Sequence, residues 1–166
     1  TSSIMFGDNA TGTIDAADNN TGLGVDVFAA LTTGDDNVAI GKSALTANTT
    51  GTRNTALGSL SLDANTTGNE NTASGYSALG ANTTGGNNTA FGRHALDANT
   101  TASNNTAVGY NSLLANTTGT GNVAVGYNSL DATNANYSTA VGYDALTANT
   151  TGADSVAVGS LALDAN

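Results

Sequence analysis

A phrase of seventeen residues returns along the whole chain, and that period restricts the fold more than any feature of composition. Its clearest copies run from Asn54 to Glu70 and from Asn105 to Gly121. Aligned on the glycine that closes the first half, the copies open at Ser3, Asn20, Asn37, Asn54, Asn71, Asn88, Asn105, Asn122, Ser138 and Ser155. Every step is seventeen residues except the one from Asn122 to Ser138, which is one shorter. A unit this small cannot enclose a core alone, so each copy is expected to be one coil that buries its apolar side against the next. The 166 residues then form a single repeat array without a linker or a second domain.

Let the asparagine or serine that opens a copy be position one. Position four holds Ile40, Leu57, Phe91, Val108 and Val125, with Ser74 as its polar exception, and position two alternates between threonine and valines such as Val38 and Val123. Residues two apart on a strand share a face, so these positions are expected to point inward as a pair. Leu45, Leu62, Leu79, Leu96 and Leu113 at position nine, with alanine at position eleven, are expected to make a second inward pair. Between the pairs stands a glycine at position five, as at Gly41, Gly58, Gly75, Gly92, Gly109 and Gly126, where a turn needs positive φ or close backbone approach. Asn-Thr-Thr-Gly, as in Asn48 to Gly51, writes the second turn.

The pattern predicts an all-β chain, a parallel β-solenoid (β-roll) of about ten coils with two short strands each. Threonine, asparagine and glycine recur too closely for a helix of useful length. At a strand spacing of about 4.8 Å the rod would be roughly 48 Å long. The opening asparagines, Asn37 through Asn122, are then placed to pass amide hydrogen bonds from coil to coil. Position three is alanine at Ala39, Ala56, Ala73, Ala90, Ala107 and Ala124, on the face opposite the expected core. A fixed small residue there reads either as an interface between chains or as a trace of recent duplication.

Charge narrows the partners. A formal net charge of −10, with Lys42, Arg53 and Arg93 as the cations, excludes the basic patch that nucleic acid requires and is repelled by anionic membrane surfaces. No apolar run approaches the roughly 20 residues of a membrane span, and Thr1 to Asn9 lack the features of a signal peptide, so a signal has been removed or export takes another route. Cysteine is absent, which removes disulfides and thiolate metal sites. At the chain ends Asn166 stops at position twelve and Thr1 resumes at position sixteen, so a segment of a longer fibre and a subunit that polymerises head to tail are both expected.

Asn37-Val-Ala-Ile-Gly41, Asn122-Val-Ala-Val-Gly126 and Ser155-Val-Ala-Val-Gly159 resemble the repeats of YadA-like trimeric autotransporter adhesin heads. The Asn-Thr-Ala-x-Gly and Asn-Thr-Thr-Gly phrases are also similar to arrays in bacterial and phage tail-fibre-domain proteins. The first resemblance implies a left-handed β-roll, three chains about one axis with the alanine row turned toward it, and display or attachment outside the cell. The present repeat is longer than that of the adhesin heads, with the added Asn-Thr-Thr-Gly enlarging one turn.

Little chemistry is legible. His94 occupies variable position seven and lacks a recognisable nucleophile partner, so no enzyme and no cofactor are expected. Asp63, Asp97, Asp131 and Asp164 recur at position ten, but alternate coils would hold neighbouring carboxylates about 9.5 Å apart, too far to share a calcium ion. The Thr-Thr pairs invite an ice-binding reading, which the turn setting and the alternation of adjacent side chains oppose. Asn48, Asn65, Asn82, Asn99, Asn116 and Asn149 open glycosylation sequons. Tyr76, Tyr110, Tyr127 and Tyr143 share position six, where a row could stack on sugars or proteins or merely cover the edge of the roll. The expected function is structural, in a cell-surface or virion fibre or adhesin, as a homotrimer or head-to-tail polymer facing a host-surface or glycan receptor. An ice- or glycan-binding module is the alternative.

Overall fold

The computed structural model describes Ile4–Phe6 and residues 17–164; Thr1, Ser3, Gly7, Ala165 and Asn166 lie outside the described residues. Among the described residues ten three-residue strands follow one another: β1 (Ile4–Phe6), β2 (Thr21–Leu23), β3 (Val38–Ile40), β4 (Thr55–Leu57), β5 (Thr72–Ser74), β6 (Thr89–Phe91), β7 (Thr106–Val108), β8 (Val123–Val125), β9 (Thr139–Val141) and β10 (Val156–Val158). They form one parallel sheet in chain order, each strand paired with the next at the same repeat position. The chain is an all-β parallel β-solenoid, with one strand per coil among the described residues rather than the expected two.

The strand faces the opposite way from the sequence expectation. Ala39, Ala56, Ala73, Ala90, Ala107 and Ala124 are fully buried inside the chain, so they are core and not an interface. Position four points outward: Leu57 is 49% exposed, Phe91 46%, Val108 37% and Val125 36%, and Ile40 is half-buried. Volume explains the inversion. The leucines at position nine, Leu45 through Leu113, are fully buried and fill the space beneath the strand, leaving room above them for a methyl group only. Coil two confirms this by its exception. There Phe28 replaces the leucine, Gly22 replaces the alanine, and a Cβ on Gly22 would press on Val27 and Phe28 at 3.1 and 3.3 Å.

The second inward pair is also rearranged, because position eleven is half-buried or exposed while position eight is buried, as at Ala44, Ser61 and Ala78. Two adjacent inward side chains require the backbone to break its alternation. Leu45, Leu62, Leu79, Leu96 and Leu113 do so in the left-handed region, with φ of 51° to 54°, and position seven adopts it too, as at Ser43 (58°) and Ser77 (54°). Such a residue is disfavoured by about 1–2 kcal/mol, and burial of the leucine, worth about 1.5–3 kcal/mol, opposes that strain. The conformation also turns successive amides toward both neighbouring coils. Ser43 N donates back to Val25 O at 2.8 Å, and Leu45 N donates forward to Ser61 O at 3.1 Å.

Position five takes the tightest turn. Gly58 has φ of 142°, and a Cβ there would lie 2.5 Å from Gly75 O in the next coil, so no other residue fits.

Candidate functional site: ladders, columns and the strand face

Two buried asparagine ladders run through the rod. At position one, Asn54 N and Nδ2 both donate to Asn37 Oδ1 at 2.9 and 3.2 Å, and Nδ2 also donates to Gly68 O at 2.8 Å. At position twelve, Asn65 Nδ2 donates to Asn48 Oδ1 at 2.9 Å and to Gly68 O at 3.0 Å. Both amide hydrogens are engaged in a site without solvent, so the sequons at Asn65, Asn82 and Asn99 cannot carry a sugar in this fold. Position thirteen adds a threonine ladder, in which Thr49 and Thr66 Oγ1 each donate at 3.0 Å to the threonine carbonyl of the next coil. That leaves position fourteen, as at Thr50 and Thr67, as the exposed member of these pairs.

The tyrosines do align. Tyr110, Tyr127 and Tyr143 stack with ring centroids 5.2 Å apart and planes within 10° of parallel. Arg93, at the same repeat position, lies between Tyr76 and Tyr110 at 5.6 and 5.5 Å from their centroids and donates from Nη1 to Tyr110 Oη at 3.0 Å. The column covers its own ring faces and presents edges and hydroxyls, which opposes sugar stacking on its interior members. The sequence reading missed Arg93, although sharing position six with the tyrosines was the available signal.

On the neighbouring columns, Asp97 braces two coils. Its Oδ1 accepts from Ser77 Oγ at 2.8 Å, and its Oδ2 lies 2.8 Å from His94 Nδ1. The carboxylate therefore stands between serine and imidazole, and Ser77 directs its proton to Asp97 instead of to a base poised for nucleophile activation. Two other acids at position ten are raised above the ordinary carboxylate range: Asp63 by burial and then by Asp97, and Asp131 by burial and then by Asp144. Asp131 Oδ1, Asp144 Oδ1 and Asn128 Oδ1 are buried and unpaired. Among the described residues no three His, Cys, Asp or Glu side chains gather as a metal site, and no helix is long and apolar enough to cross a membrane.

A further surface feature is the strand face. Positions two and four of all ten strands point away from the alanine core, and none of these residues is charged. The acids and the three cations among the described residues all lie elsewhere on the coil. An uncharged, mostly apolar strip of nine strand spacings, about 43 Å, is an unusual surface to leave in water. The chain matches no protein-family model, no curated protein and no solved structure.

Proposed function

We propose that this chain is a structural segment of an extracellular fibre or adhesin, serving stiffness and display on a cell or virion surface, and that copies of it meet along the strand face. The observation that carries the reading is the uncharged strip on an otherwise acidic rod, apolar at position four in nearly every coil and exposed because the interior is already filled. Stiffness is supported by the uninterrupted sheet and by internal ladders that tie each coil to both neighbours. The resemblance to adhesin heads implies three copies about one axis; the strand face, in place of the alanine row, would then turn inward. Any receptor would meet the outer columns.

Sedimentation at rising concentration tests the self-contact, with circular dichroism as the control for folding. Association that disappears in Val125→Lys while the β signal is unchanged is the expected result. A chain that remains monomeric up to millimolar concentration would overturn the reading.

A further inference from the structure

We propose that two copies pack antiparallel through the strand face, with a two-fold axis running along the strand direction between β5 and β6, as a homotypic adhesive contact. The inference rests on the reading of the strand face as the place where copies meet, and it adds the arrangement. In this geometry β2 faces β9, β3 faces β8, β4 faces β7 and β5 faces β6, and position four of one copy lies over position four of the other.

Side-chain size carries the argument. In β1 to β4 position four is bulky, in β7 to β10 it is valine, and the central strands β5 and β6 carry Ser74 and Phe91. Antiparallel packing sets Leu23 over Val141, Ile40 over Val125 and Leu57 over Val108, so every level holds one larger and one smaller residue. At the centre, Phe91 of each copy enters the notch left by Ser74 of the other. Ser74 and Phe91 are register partners on β5 and β6, so both insertions fall on the two sides of one axis. Position two repeats the symmetry, since Val38 meets Val123 and Thr55 meets Thr106.

A parallel, in-register arrangement instead reverses the strands of the facing copy and lays position four over position two. Phe91 then meets Thr89 one spacing away from Ser74 over Thr72, a thick level beside a thin one, which a close-packed interface does not tolerate. A slip by one coil separates Phe91 from its notch, so the pair also holds the axial register that a near-uniform repeat would otherwise leave free. The strip is only about 43 Å by 10 Å, at the low end for a specific interface. A single pair is therefore weak. Rods displayed from two facing surfaces meet antiparallel, however, and many such pairs acting together multiply the contact.

The chain has no cysteine, so single labels are straightforward. Spin labels on Thr33→Cys in coil two or Thr84→Cys in coil five sit on exposed turns away from the strand face. Double electron–electron resonance on the associated species should give a longer distance for the first than for the second, because the lateral offset is shared while the axial separation is about 34 Å (seven spacings) for the first and about 5 Å (one spacing) for the second. Phe91→Ser, with an unchanged circular dichroism spectrum, should weaken association at least ten-fold. Equal separations at both sites, a three-copy assembly, or Phe91→Ser association at the wild-type level would overturn the antiparallel pair while leaving the self-contact standing. A chain monomeric up to millimolar concentration overturns both.

Discussion

The coils from Asn37 to Gly121 and the shortened coil from Asn122 to Tyr137 meet the same hydrogen-bonding demand with different atoms. In a regular coil, Thr49 N, Thr49 Oγ1 and Thr50 N converge on the backbone carbonyl of Thr66 at 3.0, 3.0 and 3.2 Å. Above the shortened coil, Thr117 N, Thr117 Oγ1 and Thr118 N converge on the side-chain carbonyl of Asn134 at 2.7, 2.8 and 3.2 Å. Asparagine supplies the oxygen that the displaced backbone cannot. The position-twelve ladder adapts as well, because Thr133 stands where an amide is expected. Asn116 Oδ1 accepts instead from Gly119 N at 3.1 Å, and Thr133 Oγ1 accepts from Ala135 N at 3.0 Å. β8 and β9 remain paired in phase. The repeat thus requires an acceptor at a place, and the identity of the residue is secondary.

What the two regions share should be most sensitive. Leu79 in a regular coil and Leu130 in the shortened one are both fully buried in the same slot. Leu79→Ala and Leu130→Ala should each lose about 2–5 kcal/mol, by lost transfer energy and the cavity left behind. Urea unfolding of the two variants checks this. A Leu130→Ala effect far below that of Leu79→Ala would show that the core is loosened where the coil is short.

Exchanging their differences comes next. Asn82→Thr imports the Thr133 solution into a regular coil, where it strands Asn65 Oδ1, which now accepts from Asn82 Nδ2, and takes from Asn99 Nδ2 its acceptor Asn82 Oδ1, while Gly85 O keeps Asn71 Nδ2. The expected loss is about 2–3 kcal/mol by thermal or urea unfolding, since buried acceptors without donors are costly. Asn134→Ala removes one acceptor from three donors at an exposed position where water takes part of its place, so about 1 kcal/mol is expected. Its signature is local: amide exchange at Thr117 and Thr118 should speed up, whereas Thr66→Ala, which keeps the backbone carbonyl, should leave Thr49 and Thr50 protected.

The period, the coil boundaries and the leucine slot were legible because each is written in nearly every copy. The facing of the strand was not. Alternation separates position three from positions two and four but does not say which side is inside, and hydrophobicity favoured the larger side chains. The deciding quantity is the volume taken by Leu45 and its equivalents, which becomes visible when Phe28 is seen opposite Gly22. The left-handed leucines were hidden for a related reason: local preference argues against them, and their amides find partners only on neighbouring coils. The role of Asn134 had a trace in the sequence, since the one copy that lost a residue also placed asparagine where its neighbours have threonine.

The acids at position ten give the smallest effect and separate the two regions once more. Asp63 in a regular coil and Asp131 in the shortened one are both raised by burial, but backbone amides of Asp63 and Ala64 hydrogen-bond to Asp63 and favour its charged form. Asp131 lacks that relief, has an unpaired buried Oδ1, and meets Asp144 instead. A carboxyl group raised in the folded state binds its proton more tightly there than in the unfolded chain. Stability contributed by this group is therefore full below the ordinary value of 3.8 and declines as pH rises from 3.8 through the raised folded value. Asp131→Asn should flatten that decline and stabilise the rod at pH 7, by less than about 1 kcal/mol once solvent screening is counted. Asp63→Asn should gain less, because it also gives up the charge that its amides favour. Melting temperatures of both variants between pH 3 and 7 decide the matter, and an equal gain from the two would mean that Asp144 contributes nothing to the difference.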